Sequence, residues 1–281
     1  MTTDDTATTL HDRALAFRAL HVPGRPLVLP NAWDLASARI VEDAGAAAVA
    51  TTSAGLAWAL GAADGDRLER DAALGAVAVI AAGVRLPVTA DIERGYARDP
   101  EGVADTVRGV LAAGAVGVNI EDTAPEPDRG PLRAVSEQAE RIAAAREAAD
   151  AAGVPLFVNA RVDTLLRGAG GVDDTLERAA AYRAAGADGI FVPGAVEPGT
   201  VKPLADGVDV PLNVMVGPGA PPVAELAALG VARVSAGAGI ARAAHTLVRR
   251  AARELLDTGT YDTLAGSIDS GELNALLGGA R

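Results

Sequence analysis

The sequence contains no cysteine among its 281 residues. Disulfide bonds, thiolate nucleophiles and cysteine-bound zinc are therefore excluded. Histidine is almost as scarce, since only His11, His21 and His245 occur and they lie far apart, so a histidine-rich metal site is not expected. Aromatic residues make up 3% of the chain, so the core must be built from Ala, Val, Leu and Ile.

Positive charge is also in short supply, with 25 basic against 37 acidic residues and a net charge of −12. Binding to nucleic acid or to an acidic membrane surface requires clustered Lys and Arg, whereas the arginines here are scattered. No apolar run reaches the roughly 18 residues of a membrane span, and the polar, acidic first residues do not resemble a signal peptide. We therefore expect a soluble, cytoplasmic protein with neither nucleic-acid nor membrane partners.

One unit recurs along the chain: an Ala-rich amphipathic stretch ends in Gly, and a short apolar run follows. Glycine adopts the left-handed conformation that terminates a helix without a Cβ penalty. An additional apolar run, PLVLP from Pro26, precedes the first unit. The seven terminating glycines are Gly45, Gly83, Gly114, Gly153, Gly186, Gly207 and Gly230.

The apolar runs lack clean alternation, which is typical of parallel strands covered on both faces. Eight alternating strand–helix units favour an α/β fold of the closed (βα)8 TIM type over an open doubly wound sheet. No GxGxxG turn follows the first strand, which disfavours dinucleotide binding. We predict one domain over residues 1–281, with the barrel at about 25–257 and extra helices at the N- and C-terminal ends.

Carboxylates follow two neighbouring strands of this predicted barrel, at the end where chemistry takes place in the fold. Asp91 and Glu93 are two residues apart, so they are expected to share one face of a strand, and Glu121 ends the next strand. Converging carboxylates repel unless a cation lies among them, and a histidine-free oxygen cluster suits Mg²⁺ or Mn²⁺. The sequence predicts a metal site here; the alternative is surface charges or helix caps.

Three further features adjoin this cluster. Arg161, within an apolar strand, can pair with Glu121 or grip a substrate carboxylate in bidentate fashion. Ser53-Ala54-Gly55 is predicted to form a small-residue turn whose backbone N–H groups could bind an anion. Asp64 lies in a loop rich in turn formers, where it is either a plain turn residue or part of the site.

With the segments PNAWDLASARIVEDAG, TTSAGLAWALGAADGD, PVTADIERGY, GVNIEDT, VNARVDT and PLNVM, about residues 25–245, the chain resembles the isocitrate lyase / phosphoenolpyruvate mutase superfamily. It is most similar to the short 2-methylisocitrate lyase-like members. The resemblance implies a lyase or mutase that requires a divalent metal and works through the enolate of an oxo-acid. It also implies a homotetramer in which the last barrel helix is exchanged between subunits.

The resemblance implies residue roles as well. Asp91 would ligate Mg²⁺, with Glu93, Glu121 and Asp64 holding it directly or through waters. Asp64, Glu121 and Arg161 would be catalytic. The implied substrate-binding residues are Ser53, Ala54, Gly55, Asp91, Arg161 and Asn213.

The segment after Glu121 departs from the family pattern. Isocitrate-type lyases carry a K-K-C-G-H flap there, whose Cys is the general acid/base, whereas EDTAPEPDRGPLRAVSEQ has no Cys, Lys or His. The Lys and Asn of phosphoenolpyruvate mutases are missing too, and Glu126 and Asp128 would repel a phosphonate unless Arg129 and Arg133 offset them. Methylisocitrate lyases also have Glu where this chain has Gly194. The identity of the general acid/base is therefore left open.

The leading hypothesis is a Mg²⁺-dependent carbon–carbon lyase or decarboxylase that acts on a small 2-oxo or 2-hydroxy dicarboxylate, in the manner of oxaloacetate decarboxylase. That reaction needs no general acid/base from the flap, because CO₂ leaves, the metal can stabilise the enolate and water can return the proton. One alternative is a phosphonate enzyme, a phosphoenolpyruvate mutase or phosphonopyruvate hydrolase type. Another is a non-catalytic barrel that binds an oxo-acid. In each case the expected partner is a small anionic oxo-acid.

Overall fold

The computed structural model describes residues 9–124 and 130–278, which contain nine parallel strands and eleven α-helices. The strands are β1 (Leu27–Leu29), β2 (Asn31–Ala32), β3 (Val49–Thr51), β4 (Val88–Asp91), β5 (Gly117–Glu121), β6 (Phe157–Arg161), β7 (Gly189–Val192), β8 (Leu212–Met215) and β9 (Arg233–Ser235). The helices are α1 (Leu10–Ala19), α2 (Leu35–Asp43), α3 (Ser53–Ala59), α4 (Arg70–Gly83), α5 (Pro100–Ala112), α6 (Val135–Ala151), α7 (Val172–Ala184), α8 (Pro198–Gly207), α9 (Val223–Ala228), α10 (Gly239–Asp257) and α11 (Ser270–Gly278).

The sheet closes through an interrupted first strand. β1 pairs with β9 and β2 pairs with β3, and the remaining strands pair in chain order. Pro30 separates β1 from β2 and has no N–H to donate to a ladder, so one barrel strand is divided into two short segments. The predicted (βα)8 barrel is confirmed, with nine strand segments in place of eight continuous strands.

The glycines predicted to end helices fall into two groups. Five of them have positive φ just after a helix: Gly45, Gly114, Gly153, Gly186 and Gly230. The other two, Gly83 and Gly207, are instead the last residues of α4 and α8. A Cβ on Gly83 would lie 2.1 Å from Leu35 Cδ1, and one on Gly207 would lie 2.7 Å from Leu176 Cδ2. These two glycines therefore permit close helix packing.

Helix α1 covers the amino ends of the barrel strands. Phe17 is fully buried, and its ring meets the Phe157 ring edge-on at 5.8 Å. His21, one turn later, stacks on Phe157 at a centroid distance of 3.9 Å. Because Phe157 begins β6, this aromatic group lies at the barrel end opposite the one expected to hold the chemistry.

Helix α10 leaves much of its apolar surface exposed. Of its 19 residues only Ala241 is buried, whereas Val248 is 66% and Leu256 84% exposed. Barrel strand β1 likewise leaves Val28 43% exposed. Within residues 9–124 and 130–278, no helix is long and apolar enough to cross a membrane.

Candidate active site

The carboxyl ends of the strands surround a cavity of about 430 Å³. Its polar wall comes from many different strand ends, as is usual for chemistry on this fold. The polar and charged residues that line it include Ser53, Asp64, Asp91, Arg161, Ser235 and Arg242.

Asp91 is fixed in this wall from two sides. Its main-chain N–H donates to Thr51 Oγ1 at 2.9 Å. Its Oδ2 accepts from the Ser53 hydroxyl at 2.8 Å and from the Ser53 N–H at 3.2 Å. Removal from water, together with the charge of Glu121, raises the pKa of Asp91, although Arg161 and Ser53 oppose this. The cavity thus holds an oriented carboxylate whose charge a nearby cation would stabilise.

The predicted small-residue turn after β3 is the first turn of helix α3. Thr52 is the N-cap, with its hydroxyl oxygen 3.5 Å from the Gly55 N–H, so the chain enters a helix at Ser53. Ser53 and Ala54 line the cavity. Gly55 instead packs against Trp33, where a Cβ would lie 2.7 Å from Trp33 Cβ. The expectation of a turn is wrong because a capping Thr directly precedes the small residues.

Arg161 is held by two carboxylates. Its Nη1 lies 2.9 Å from Glu121 Oε2, and its Nε and Nη2 contact Asp163 Oδ1 and Oδ2 at 2.6 and 2.9 Å. Burial alone would lower the pKa of Arg161, but the carboxylates of Glu121 and Asp163 outweigh it and raise the pKa overall. The Arg161–Glu121 pair, one of the two roles predicted for Arg161 from the sequence, is present. The guanidinium also faces the cavity.

A buried network that the sequence did not reveal holds Arg161 in place. Asp122 and Asp163 both have fully buried side chains. The Asp163 N–H donates to Asp122 Oδ1 at 2.9 Å, while Asp122 Oδ2 accepts from the Tyr182 hydroxyl at 2.9 Å and from Arg178 at 3.1 Å. Both aspartates follow strand ends in the sequence, which marks them as candidates, but spacing alone does not disclose their partners.

Glu93 does not share a strand face with Asp91. Strand β4 ends at Asp91, and Glu93 has a left-handed backbone with φ 49°. Its carboxylate accepts from the Asp66 N–H and lies 3.4 Å from the Tyr96 hydroxyl, outside the described lining of the cavity. Burial, with the charges of Asp66 and Asp91 nearby, raises the pKa of Glu93. The expectation of a common face is wrong because the backbone turns after Asp91; the metal role of Glu93 stays a prediction.

Asn213 lies inside the barrel, outside the described cavity wall, and is fully buried. Its Nδ2 donates to the Val214 carbonyl at 2.9 Å and to the Arg233 carbonyl at 3.2 Å. Its Oδ1 accepts from Asn159 Nδ2 at 3.0 Å. The side chain is occupied by strand-to-strand contacts, so its substrate-binding role stays a prediction that the geometry does not favour.

Asp64 lies at the solvent-exposed rim of the cavity. Partial removal from water and the charge of Glu121 raise its pKa. In the described ranges no three Asp, Glu or His side chains form a group that could hold a metal ion. Mg²⁺, however, commonly takes only one or two protein carboxylates and keeps several waters. Asp91 and Asp64, two hard oxygen donors on one cavity, therefore fit Mg²⁺ or Mn²⁺.

The flap after β5 is described only at its base. Thr123 and Leu132 form an antiparallel bridge, and the Ala124 N–H donates to the Pro131 carbonyl at 3.1 Å. Arg133 is described and pairs with Glu137. The flap residues Glu126, Asp128 and Arg129 lie outside the described residues.

The sequence model of the phosphoenolpyruvate phosphomutase family matches residues 17–256. The chain belongs to this family.

The chain is also similar to curated proteins over most of its length. An uncharacterised protein of Mycobacterium tuberculosis (strain H37Rv) is 39% identical over 94% of this chain and 96% of its own length. The 2-methylisocitrate lyase of Escherichia coli K12 is 32% identical over 72% and 69% of the two chains. The oxaloacetate decarboxylase of Ectopseudomonas mendocina is 32% identical over 73% and 70%.

Solved structures show the same fold over nearly the whole chain. A crystal structure from Burkholderia cenocepacia J2315 is 41% identical with a TM-score of 0.88, covering 94% of this chain and 95% of that one. Phosphonopyruvate hydrolase in complex with oxalate and Mg²⁺ is 26% identical with a TM-score of 0.83, covering 95% of each chain. The prediction of an enzyme of the isocitrate lyase / phosphoenolpyruvate mutase superfamily is confirmed.

Proposed function

We propose that the protein is a Mg²⁺-dependent carbon–carbon lyase or decarboxylase for a small 2-oxo or 2-hydroxy dicarboxylate, with oxaloacetate decarboxylation as the leading reaction. The observation that carries the proposal is the joint placement of Asp91, Asp64 and Arg161 on one cavity. Carboxylates suit a divalent metal and the guanidinium suits a substrate carboxylate, which together are the features that a 2-oxo-acid requires.

In this proposal Asp91 and Asp64 hold the metal, with Glu121 and Glu93 contributing through waters. When bound, the metal acts as a Lewis acid that stabilises negative charge on an enolate oxygen. Arg161 has five N–H donors, of which Glu121 and Asp163 use three, so two remain for a substrate carboxylate.

Ser53 orients Asp91 through its hydroxyl, 2.8 Å from Oδ2. The described lining of the cavity contains no His, Cys or Lys. Decarboxylation suits such a site because CO₂ departs without protonation, and the enolate can take its proton from water. The oxaloacetate decarboxylase and 2-methylisocitrate lyase relatives support this reaction class.

The direct test is release of pyruvate from oxaloacetate in the presence of Mg²⁺. We expect turnover by the wild type, its loss in Asp91→Ala, and wild-type turnover in the control Asp71→Ala, because the Asp71 side chain is 84% exposed on α4. Absence of turnover with oxaloacetate and other 2-oxo and 2-hydroxy diacids, while the enzyme binds Mg²⁺, would contradict the proposal.

A phosphonate reaction is the second candidate. The match to the phosphoenolpyruvate phosphomutase family and the likeness to phosphonopyruvate hydrolase support it. Phosphonopyruvate turnover followed by phosphorus NMR would select this reaction. If oxalate binds but neither phosphonopyruvate nor any of the 2-oxo and 2-hydroxy diacids is turned over, the remaining alternative, a non-catalytic barrel that binds an oxo-acid, is selected.

We also propose that the protein is cytoplasmic and that it forms a homotetramer in which the last barrel helix is exchanged between subunits. The tetramer is supported by the apolar surface that α10 leaves exposed, including Leu247, Val248 and Leu255. On the barrel, a surface hollow of about 610 Å³ is lined by residues that include Leu27 and Val28 of β1. A single tetramer mass by native mass spectrometry, lost in Val248→Glu, is expected; a monomer at micromolar concentration would contradict this assembly.

A further inference from the structure

Arg242 brings a second positive charge to the cavity. It is the fourth residue of α10 and lines the same cavity as Asp91 and Arg161. Arg161 is engaged by Glu121 and Asp163. Arg242 is exposed and belongs to none of the ion pairs formed among the described residues. Arg242 is therefore a second cation on this wall, and unlike Arg161 it is not shared with a described carboxylate.

A second carboxylate on a ligand in this cavity would need such a cation. In the proposed function Asp64 and Asp91 are balanced by the divalent metal, and the charge of Arg161 is shared between two carboxylates, so neither group leaves a full positive charge for a second ligand carboxylate. A substrate with two carboxylates needs a partner for each, because a carboxylate removed from water without one is strongly disfavoured. Arg161 can serve the carboxylate beside the reacting carbon, and Arg242 can serve the other.

Apolar residues also line this cavity. Phe191 lies within β7, Met215 ends β8 and Val216 follows it. Leu166 and Val196 add to the same lining. Such surfaces favour hydrocarbon, which loses no hydrogen bonds on burial. The lining thus suits a short carbon chain with an acid group at each end.

Helix α10 is tied to the barrel mouth close to Arg242. The His245 ring meets the Trp58 ring of α3 edge-on, with centroids 5.9 Å apart. Trp58, Arg242, His245 and Arg249 line an adjoining cavity of about 570 Å³. Arg249 lies on the same helix but does not line the substrate cavity, which makes it a matched control for a general change in charge.

We propose that Arg242 binds the distal carboxylate of the substrate and so selects dicarboxylates over 2-oxo monocarboxylates. This rests on the proposed function in that it assumes a 2-oxo-acid at Asp91 and Arg161. It adds a specificity-determining residue on α10, outside the strand ends that the family resemblance identified.

The test compares two ligands by titration calorimetry with Mg²⁺. Oxalate corresponds in size to the 2-oxo-carboxylate end of the substrate alone, whereas 3,3-difluorooxaloacetate also carries the distal carboxylate. We expect Arg242→Ala to weaken 3,3-difluorooxaloacetate binding by about 10- to 100-fold, the usual range for a lost hydrogen bond to a charged group, and to leave oxalate affinity unchanged. Arg242→Lys should restore part of the loss, and Arg249→Ala should bind both ligands as the wild type does.

Equal loss of both ligands in Arg242→Ala, or no loss of the diacid, would overturn the assignment. Thermal unfolding of each variant checks that the fold is retained. Because the readout is binding, it is independent of turnover: if oxaloacetate is not converted but Arg242→Ala still loses only the diacid, the proposed reaction fails and the role of Arg242 stands. If oxaloacetate is converted but Arg242→Ala loses no affinity for the diacid, the role of Arg242 is rejected and the proposed reaction stands.

Discussion

Asp163→Asn perturbs the contact on which the position of Arg161 depends. Asn keeps the shape of Asp and one acceptor oxygen, but its NH₂ group would face a guanidinium N–H in place of the second oxygen. Arg161 now donates to the two Asp163 oxygens at 2.6 and 2.9 Å, and in the variant one of these hydrogen bonds is replaced by two N–H donors that face each other. The negative charge that Asp163 places beside Arg161 is also lost. The main-chain bond from Asp163 to Asp122 is unaffected.

The expected cost follows from burial. The Asp163 side chain is fully buried and that of Arg161 is 18% exposed. Removing one partner from a buried ion pair costs about 3–5 kcal/mol. Glu121 still pairs with Arg161 at 2.9 Å and Asn keeps one hydrogen bond, so we expect a loss of about 2–3 kcal/mol in the free energy of unfolding.

Two measurements check this expectation, namely urea unfolding and oxalate calorimetry with Mg²⁺. A loosened Arg161 should weaken oxalate binding about tenfold. The control is Asp150→Asn, where the carboxylate is 62% exposed and 3.4 Å from Arg146, so the loss should stay below about 1 kcal/mol. Equal stability losses in the two variants would refute the reasoning, as would wild-type oxalate affinity in Asp163→Asn.

Two further predictions concern stability. Burial, reinforced by the charge of Arg233, lowers the pKa of His21 from 6.5 to about 3. Between about pH 3 and pH 6.5 the unfolded chain therefore binds a proton that the folded chain does not. The free energy of unfolding falls as the pH is lowered below 6.5, by about 2 kcal/mol at pH 5. His21→Phe should flatten this dependence in urea titrations; an unchanged slope would contradict it. Gly55→Ala should cost about 1–3 kcal/mol because its Cβ would meet Trp33 at 2.7 Å, whereas Gly75→Ala, with no atom within 4 Å on α4, should be neutral or stabilising; similar melting temperatures for the two would exclude the packing argument.

The barrel was predictable because its signals are local. Each helix–Gly–strand unit contains its own pattern, and eight units in series leave few alternatives to closure. The division of the first strand at Pro30 depends on which neighbours β1 and β2 pair with, which no local pattern reports. The packing roles of Gly83 and Gly207 likewise depend on Leu35 and Leu176, which are remote in sequence.

The site was predictable only where strand ends determine it. Asp91 and Arg161 face the cavity, as expected for residues at the ends of barrel strands. Glu93 departs because one left-handed residue reverses the alternation on which its prediction rested. Asn213 is occupied by contacts within the barrel, and Arg242 reaches the cavity from a helix whose Arg-rich pattern resembles any solvent-exposed helix.

The most direct test of the metal-dependent site is oxalate binding by titration calorimetry, with and without Mg²⁺, in the wild type and Asp91→Ala. We predict that the wild type binds oxalate only when Mg²⁺ is present and that Asp91→Ala does not bind it in either condition. Oxalate binding by the wild type without any divalent metal, or undiminished binding by Asp91→Ala, would contradict the account.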